Sequence, residues 1–298
     1  MEACVSVNGV VTRPEDARVP ALDRGFLYGD SVYEVLWWHR GAPIQLEEHL
    51  ERLERSAERM YLDLGASRAH WRSVISETVA ASGAGADEDV YVRLVVTRGV
   101  GALGLSMEPA PTPTVVVVVA PARRPAPGYA LALAIVARER VGRRALDPAA
   151  KTGNYMNNAL ALHEAKLAGA DDAVLLNAEG FVTEASTANV YLVERGALVT
   201  PALDAGLLEG TTRRRLLGLA RELGVDVHET AVRPERLRGA DEVFVSSSVR
   251  GVVPASRVDQ RVFEAPLPGP VTSRLREAFE QRADEEARAR RAAQAPSS

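Results

Sequence analysis

The chain has 298 residues, enough for about two domains with a substantial core, and its 46% hydrophobic and 26% charged content is ordinary for a globular protein. A net charge of −4 gives no basic excess for a nucleic-acid partner, no apolar run approaches the roughly 20 residues of a membrane helix, and Met1-Glu2-Ala3-Cys4 opens no secretory signal pattern. One cysteine excludes an internal disulfide or cysteine-pair metal site, and the 36 basic residues include only two lysines, Lys151 and Lys166.

Residues 4–11 read as a strand, a turn at Asn8-Gly9 and a second strand. After the stretch Leu22 to Asp30, the run Val32 to Trp38 predicts another strand, closed by Arg40-Gly41-Ala42-Pro43. Alternation there turns one of Trp37 and Trp38 to the core and leaves the other to narrow a pocket. Leu46, Leu50, Leu53, Ala57, Met60 and Leu64 then mark the apolar stripe of an amphipathic helix. A second helix is predicted over 67–82, ending at Gly83 and Gly85. Strands follow at Tyr91–Thr97 and Thr114–Ala120, the latter with five consecutive valines expected to be buried on both faces. Pro121 to Gly128, with three prolines in eight residues, reads as a linker.

Beyond it come a strand at 129–137, an Arg-rich loop to Asp147, a helix near 155–168, a hairpin through Asn177-Ala178-Glu179-Gly180 and a strand at 189–193. A helix from Thr211 to Leu223, strands near 225–229 and 242–247, and a last helix from Pro270 complete the chain. This predicts an α+β protein with a smaller N-terminal α/β domain at 1–121, a linker at 122–128, a larger C-terminal domain at 129–282, and a charged, Ala-rich disordered tail at 283–298.

The five histidines lack metal-ligand spacing, no Gly-x-Ser-x-Gly elbow occurs, and Gly99, Gly101 and Gly104 do not make a dinucleotide fingerprint. What remains begins with the lysines. A lysine amine can attack a carbonyl, and Lys151, in Lys151-Thr152-Gly153-Asn154-Tyr155, sits in a small polar junction before a helix. Lys166 reads as a solvated surface residue. Glu184 precedes the small polar run Ala185-Ser186-Thr187-Ala188-Asn189, which suits a turn packed on a ligand ring, although by the residues alone a surface glutamate at a hairpin end is the commoner case. Thr211 and Thr212 open a helix whose first amides can meet an anion, and Ser246-Ser247-Ser248 ends a strand in hydroxyls. One lysine, one acid and two phosphate-binding patterns point toward pyridoxal phosphate.

Seven segments, in order, resemble the class IV aminotransferases, the fold-type IV pyridoxal phosphate enzymes. These are Leu22-Asp23-Arg24-Gly25-Phe26-Leu27-Tyr28-Gly29-Asp30, His49-Leu50-Glu51-Arg52-Leu53, Tyr91-Val92-Arg93 with Thr97-Arg98-Gly99, Lys151 to Tyr155, Glu184 with Asn189, Leu208 to Arg213, and Ala240 to Phe244. The resemblance implies a two-domain fold with the cofactor in the cleft between domains, and a homodimer. It implies that Lys151 forms the Schiff base and moves the proton, that Glu184 faces the pyridine nitrogen, and that Tyr155 bonds the phenolic oxygen. By the same resemblance Arg52, Thr211, Thr212, Ser247 and Ser248 hold the phosphate side, with Thr187 in support. Helical projection alone leaves Arg52 a surface salt-bridge residue.

For substrate, the resemblance implies contacts from Tyr28, Tyr33, Tyr91, Arg93, Arg98 and Val249. Either arginine suits a carboxylate, and strand alternation sets positions 93 and 98 on opposite faces. Tyr91-x-Arg93 resembles branched-chain aminotransferases, whereas Thr97-Arg98-Gly99 occurs in several branches, including those acting on D-amino acids. The segment Ser246 to Pro254 departs from the Gly-Thr-Ala-Ala of branched-chain enzymes, and its Ser248-Val249-Arg250-Gly251 pattern is more similar to the aminodeoxychorismate lyases. The expectation is an amino-acid aminotransferase of branched-chain or D-amino acid type, acting on an amino acid and a 2-oxo acid. The alternatives are 4-amino-4-deoxychorismate lyase and, remotely, a non-catalytic cofactor-binding protein.

Overall fold

The computed structural model describes residues 1–107, 110, 112–264 and 266–294. Two compact units divide the chain: the first holds Met1–Arg123, Ala150–Asn154 and Ala283–Ser298, the second Arg124–Ala149 and Tyr155–Arg282.

In the first unit the elements are β1 (Cys4–Val7), β2 (Val10–Thr12), α1 (Arg24–Tyr28), β3 (Ser31–His39), β4 (Ala42–Pro43), α2 (Leu46–Arg59), α3 (Arg68–Ala81), β5 (Val90–Thr97) and β6 (Val115–Pro121). Asn8 and Gly9 both take positive φ, the conformation a tight two-residue hairpin requires. The six strands form an antiparallel sheet in the order β2-β1-β6-β5-β3-β4. Even-numbered positions of β3 and β5 face the core. There Val32, Leu36, Val92, Leu94 and Val96 pack against Leu46, Leu50, Leu53 and Ala57 of α2 and Trp71, Ile75 and Val79 of α3. Helix α2 stops at Arg59, so Met60 and Leu64 pack on this core from beyond its end.

The valine run of β6 is not buried on both faces as its composition predicts. Val117 and Val119 are inaccessible, while Val115, Val116 and Val118 are half-buried, because one sheet face carries the helices. Trp38 packs against the core cluster; Trp37 points to the other face, where its ring lies 4.2 Å from that of His39.

The second unit holds β7 (Leu131–Glu139), α4 (Met156–Leu167), β8 (Asp172–Leu176), β9 (Val182–Ala185), β10 (Asn189–Glu194), β11 (Ala197–Pro201), α5 (Thr211–Glu222), β12 (Val227–Thr230), α6 (Pro234–Arg238), β13 (Glu242–Ser247), β14 (Gly251–Val258) and β15 (Arg261–Val262). Its sheet runs β12-β11-β10-β13-β14-β7-β8-β9, with β15 paired to β14. The β7–β8, β7–β14 and β11–β12 pairs are parallel and the remaining pairs antiparallel, which makes the sheet mixed. Strands β11 and β14 are not among the sequence expectations.

The last helix, α7 (Pro270–Gln294), corrects the expected disordered tail. Leu275, Phe279, Ala283 and Ala287 recur every fourth residue and are all buried, forming a stripe that the surrounding charges mask in the composition. Within the first unit, Asp284 meets His39 Nε2 at 2.7 Å, and Glu286 Oε1 accepts from Gln45 N at 2.9 Å. Residues 295–298 of the expected tail lie outside the described residues. Among the described residues no helix is long and apolar enough to cross a membrane.

Candidate active site

Two groups of candidate residues are described in turn, one in each unit. In the first, the segment 150–154 is fastened to β3. Tyr33 N donates to Lys151 O at 3.0 Å, Gly153 N donates to Ser31 O at 2.9 Å, and Val32 bridges Thr152. A Cβ at Gly153 would come within 2.3 Å of Ser31 Oγ, so a side chain there would collide. Lys151 N donates to Ser56 Oγ at 3.1 Å, and that hydroxyl donates to Arg52 O at 2.8 Å. The backbone of Lys151 is thus tied to both the sheet and α2.

Its amine lies over Tyr33, with Nζ 4.4 Å from the ring centre. The guanidinium of Arg93 lies 4.0 Å from the centre of the same ring. Strand register explains this: Arg93 sits opposite Val35 on the β5 face that turns away from the helices, as does Tyr91 opposite Trp37. Arg98 has a different fate. Its Nε and Nη2 grip the two oxygens of Asp30 at 2.7 and 3.0 Å, and two further bonds reach the carbonyls of Tyr61 and Met60. Arg24 donates to the same Asp30, making a buried cluster. The expectation of Arg98 as a carboxylate ligand for substrate is therefore corrected: the Asp30 carboxylate and the two carbonyls take up its fork. Tyr28, another predicted substrate residue, accepts from Gly104 N at 3.1 Å through its hydroxyl.

Arg52 is not the surface residue that helical projection makes it. It is 4% exposed and donates to both oxygens of Glu34, at 2.8 and 2.7 Å. His49 Nδ1 lies 2.7 Å from Glu34 Oε2. Burial alone would raise the Glu34 carboxyl, but the charge and hydrogen bonds of Arg52, with His49, outweigh it and hold it at about 2. Burial pushes the His49 imidazole below its ordinary range despite Glu34, and the charges of Arg52 and Lys151 add to the depression. Sequence reasoning passed over Glu34. Its signal was a carboxylate at a core-facing position among Val32, Leu36 and Trp38, four residues of one strand face.

In the second unit, Glu184 sits on β9 with both oxygens engaged. Arg140 Nε donates to Oε1 at 2.7 Å and Leu208 N donates to Oε2 at 3.1 Å. Arg140 lies in an arginine-rich loop where no spacing marks it out from its neighbours. Asn189 Nδ2 donates to Leu208 O at 2.9 Å, and a Cβ at Gly210 would reach Asn189 Oδ1 at 2.1 Å, so this loop folds closely onto the strand.

That loop delivers Thr211 and Thr212 to the start of α5, where no side chain caps the first turn. The Thr212 hydroxyl is buried and has no hydrogen-bond partner among the described residues. A helix start with a small N-cap residue and an unspent buried hydroxyl fits a phosphate group, which supplies several acceptors. Tyr155 precedes α4 as its half-buried N-cap residue. Ser247 ends β13 and the half-buried Ser248 begins the turn after it, where Val249 is buried and its carbonyl accepts from Arg124 Nε at 3.1 Å. Thr187 is exposed on the turn after β9, within reach of Arg250.

Comparison with known proteins agrees with this reading. The family model for amino-transferase class IV matches residues 31–258. A putative branched-chain-amino-acid aminotransferase of Methanocaldococcus jannaschii is 34% identical over 275 residues, 92% of this chain and 94% of its own. A D-alanine aminotransferase of Bacillus licheniformis is 30% identical over 276 residues, 93% and 95%. Among solved structures, an aminotransferase from Brucella abortus bound to the co-factor PLP superposes with a TM-score of 0.87 at 26% identity, covering 95% of this chain and all of that one (100%). The chain belongs to the class IV aminotransferases. It is a pyridoxal phosphate-dependent transaminase with an α+β fold of type IV.

Proposed function

We infer that the protein moves an amino group from a small amino acid to a 2-oxo acid, and that branched-chain amino acids are its principal donors. The observation that carries this reading is the placement of Lys151 Nζ and the Arg93 guanidinium over one ring, at 4.4 and 4.0 Å from the centre of Tyr33. A nucleophilic amine and a fork-shaped cation gathered around one ring are what a reaction on an amino acid needs, since the substrate carries a carboxylate next to the reacting carbon. The M. jannaschii relative and the Tyr91-x-Arg93 pattern support the branched-chain choice. The Bacillus licheniformis relative supports D-alanine as the second reading. Aminotransferase names among the relatives favour transamination over the lyase that Ser248-Val249-Arg250-Gly251 resembles.

When bound, pyridoxal phosphate supplies a carbonyl for amines and an electron-accepting ring. Lys151 is the amine that holds this group and shuttles the proton at the substrate carbon. Glu184, fixed by Arg140, serves the ring nitrogen, and Tyr155 the phenolic oxygen. Thr211 and Thr212 bind phosphate, with Arg52, Ser247, Ser248 and Thr187 on the same duty. Arg93, with Tyr91 and Tyr33 on its sheet face, receives the substrate carboxylate, and Tyr28 and Val249 complete the substrate contacts. Mixing the yellow protein with single amino acids tests this. Bleaching by L-leucine or L-valine is expected. Bleaching by D-alanine alone would replace the branched-chain reading, and 4-aminobenzoate release from aminodeoxychorismate without any bleaching would replace transamination.

The working form is a cytoplasmic homodimer. Phe26, Leu103 and Leu105 are 74%, 73% and 80% exposed in the first unit, a concentration of apolar side chains that a second copy would cover. Light scattering is expected to give twice the chain mass, and a Leu103→Glu/Leu105→Glu variant to shift toward the monomer.

A further inference from the structure

The turn after β13 carries Arg250, within the segment that departs from the Gly-Thr-Ala-Ala of branched-chain enzymes, and this residue has a specific set of partners within the second unit. Each of its guanidinium nitrogens has one acceptor. Nη1 donates to Asp172 Oδ2 at 3.2 Å, Nη2 to Thr187 Oγ1 at 3.0 Å, and Nε to Ser247 Oγ at 3.3 Å. Thr187 and Ser247 are 60 positions apart in sequence (247 minus 187), the first on the turn that follows β9 and the second the last residue of β13. One planar cation therefore joins the turn after β9 to the end of β13, each of which presents a hydroxyl.

Asp172 anchors the arrangement. It is 3% exposed, and its Oδ1 accepts from Ala173 N at 2.9 Å and from the Ser186 hydroxyl. Ser186 is buried in its turn, with its carbonyl accepting from Asn158 Nδ2 at 2.8 Å. The Arg250 guanidinium is thus held from behind by a fixed carboxylate, and its other two nitrogens reach forward to the hydroxyls.

The chemistry of that contact has a direction. A hydroxyl has one proton to donate and two lone pairs. An arginine N–H occupies a lone pair and never accepts, so the proton of Thr187 and that of Ser247 must point elsewhere. Two such hydroxyls, polarised by one cation, form a pair of donors suited to an anion. Asp172 offsets part of the charge, but its oxygens are taken up by Arg250, Ser186 and Ala173. The donor pair remains for a ligand that reaches the exposed Thr187 and the half-buried Ser247.

We propose that Arg250 is a positioning residue that orients the Thr187 and Ser247 hydroxyls as donors to the cofactor phosphate. This rests on the pyridoxal phosphate reading of the site. The Arg250 side chain supplies both the link between the turn after β9 and the end of β13 and the polarising charge.

The test compares pyridoxal phosphate with pyridoxal, which has the same ring and aldehyde but no phosphate. Cofactor-stripped full-length protein is titrated with each, following aldehyde absorbance, for the wild type and Arg250→Gln. The expected result is about tenfold weaker binding of pyridoxal phosphate by the variant, with pyridoxal binding unchanged. Unchanged binding of pyridoxal phosphate, or equal weakening of both compounds, overturns the role given to Arg250. A Thr187→Ala/Ser247→Ala variant, which leaves the Arg250–Asp172 pair in place, should show the same phosphate-selective loss even if Arg250→Gln fails to fold; its binding both compounds like the wild type would equally overturn the role. Wild-type protein that takes up neither compound refutes the cofactor reading itself, and the proposal with it.

Discussion

Arg140 donates its Nε to Glu184 Oε1 at 2.7 Å, while the other carboxylate oxygen accepts from the backbone of Leu208. Both side chains are about nine-tenths buried, at 10% and 7% side-chain exposure. A carboxylate held at both oxygens has one available orientation, which is what an acid serving a ring nitrogen needs. Arg140→Gln should leave the fold intact by circular dichroism and lower turnover at least tenfold, with a shifted absorbance maximum of the loaded protein. Wild-type absorbance and turnover in that variant would show that Arg140 does not position Glu184.

Lys151 gives the cleanest separation of chemistry from stability. Its backbone is tied to Tyr33 and Ser56, and those bonds survive truncation of the side chain. Lys151→Ala should therefore change folding stability by only about 1 kcal/mol, yet abolish the aldehyde-derived yellow colour and the transamination. Retained turnover in the purified variant would remove Lys151 from the reaction.

The two arginines of the Tyr91 to Gly99 stretch should respond in opposite ways. Arg93→Gln loses a half-buried cation over Tyr33, so KM for the amino acid should rise by about tenfold with little change in Tm. Arg98→Gln leaves Asp30 buried with one fewer partner and strips two carbonyls, and should cost about 3 kcal/mol of stability. Chemical denaturation and steady-state kinetics on both variants decide the matter; an Arg98 variant with a raised KM and unaltered stability would reverse the assignment.

His39 predicts a pH dependence. Its Nδ1 lies 2.6 Å from Asp89 and its Nε2 2.7 Å from Asp284, and only the protonated ring can donate to both. Burial lowers its pKa, but the hydrogen bonds and charges of the two aspartates outweigh this and raise it above the ordinary 6.5. Arg40 and Arg288 also face Asp284, at 3.0 and 3.9 Å. A raised folded-state value means that the stabilisation is fully present below about 6.5 and is lost as pH rises through the raised value. The Tm advantage of wild type over His39→Gln should shrink across that range, and hydrogen exchange in 283–294 should speed up. An advantage that grows with pH would contradict the doubly bonded imidazolium.

Much of the fold was legible because its signals are local. The Asn8-Gly9 hairpin, the Leu46 to Ala57 stripe and the helix α3 that stops before Gly83 are each set by neighbours within a turn or two. Strand β14 contains Gly251 and Pro254, residue types that weaken a strand pattern, yet it pairs on both sides, so its signal lies in its neighbours and not in its own sequence. The tail at 283–294 was misread because charge and alanine content conceal a stripe only four residues in period.

By itself the sequence determined the family and the candidate residues: the lone lysine of Lys151 to Tyr155, Glu184, and the threonines that open α5. Tertiary structure alone decided how the charges are spent. Arg98 and Asp30 are 68 residues apart, Arg52 and Glu34 18, and Arg140 and Glu184 44. Alternation and helical period say which face a side chain takes, but not which partner from another element waits there. An arginine is drawn into a structural pair or left for a ligand according to where the fold brings a carboxylate. That is why Arg93 and Arg98, five positions apart and alike in sequence, have different fates.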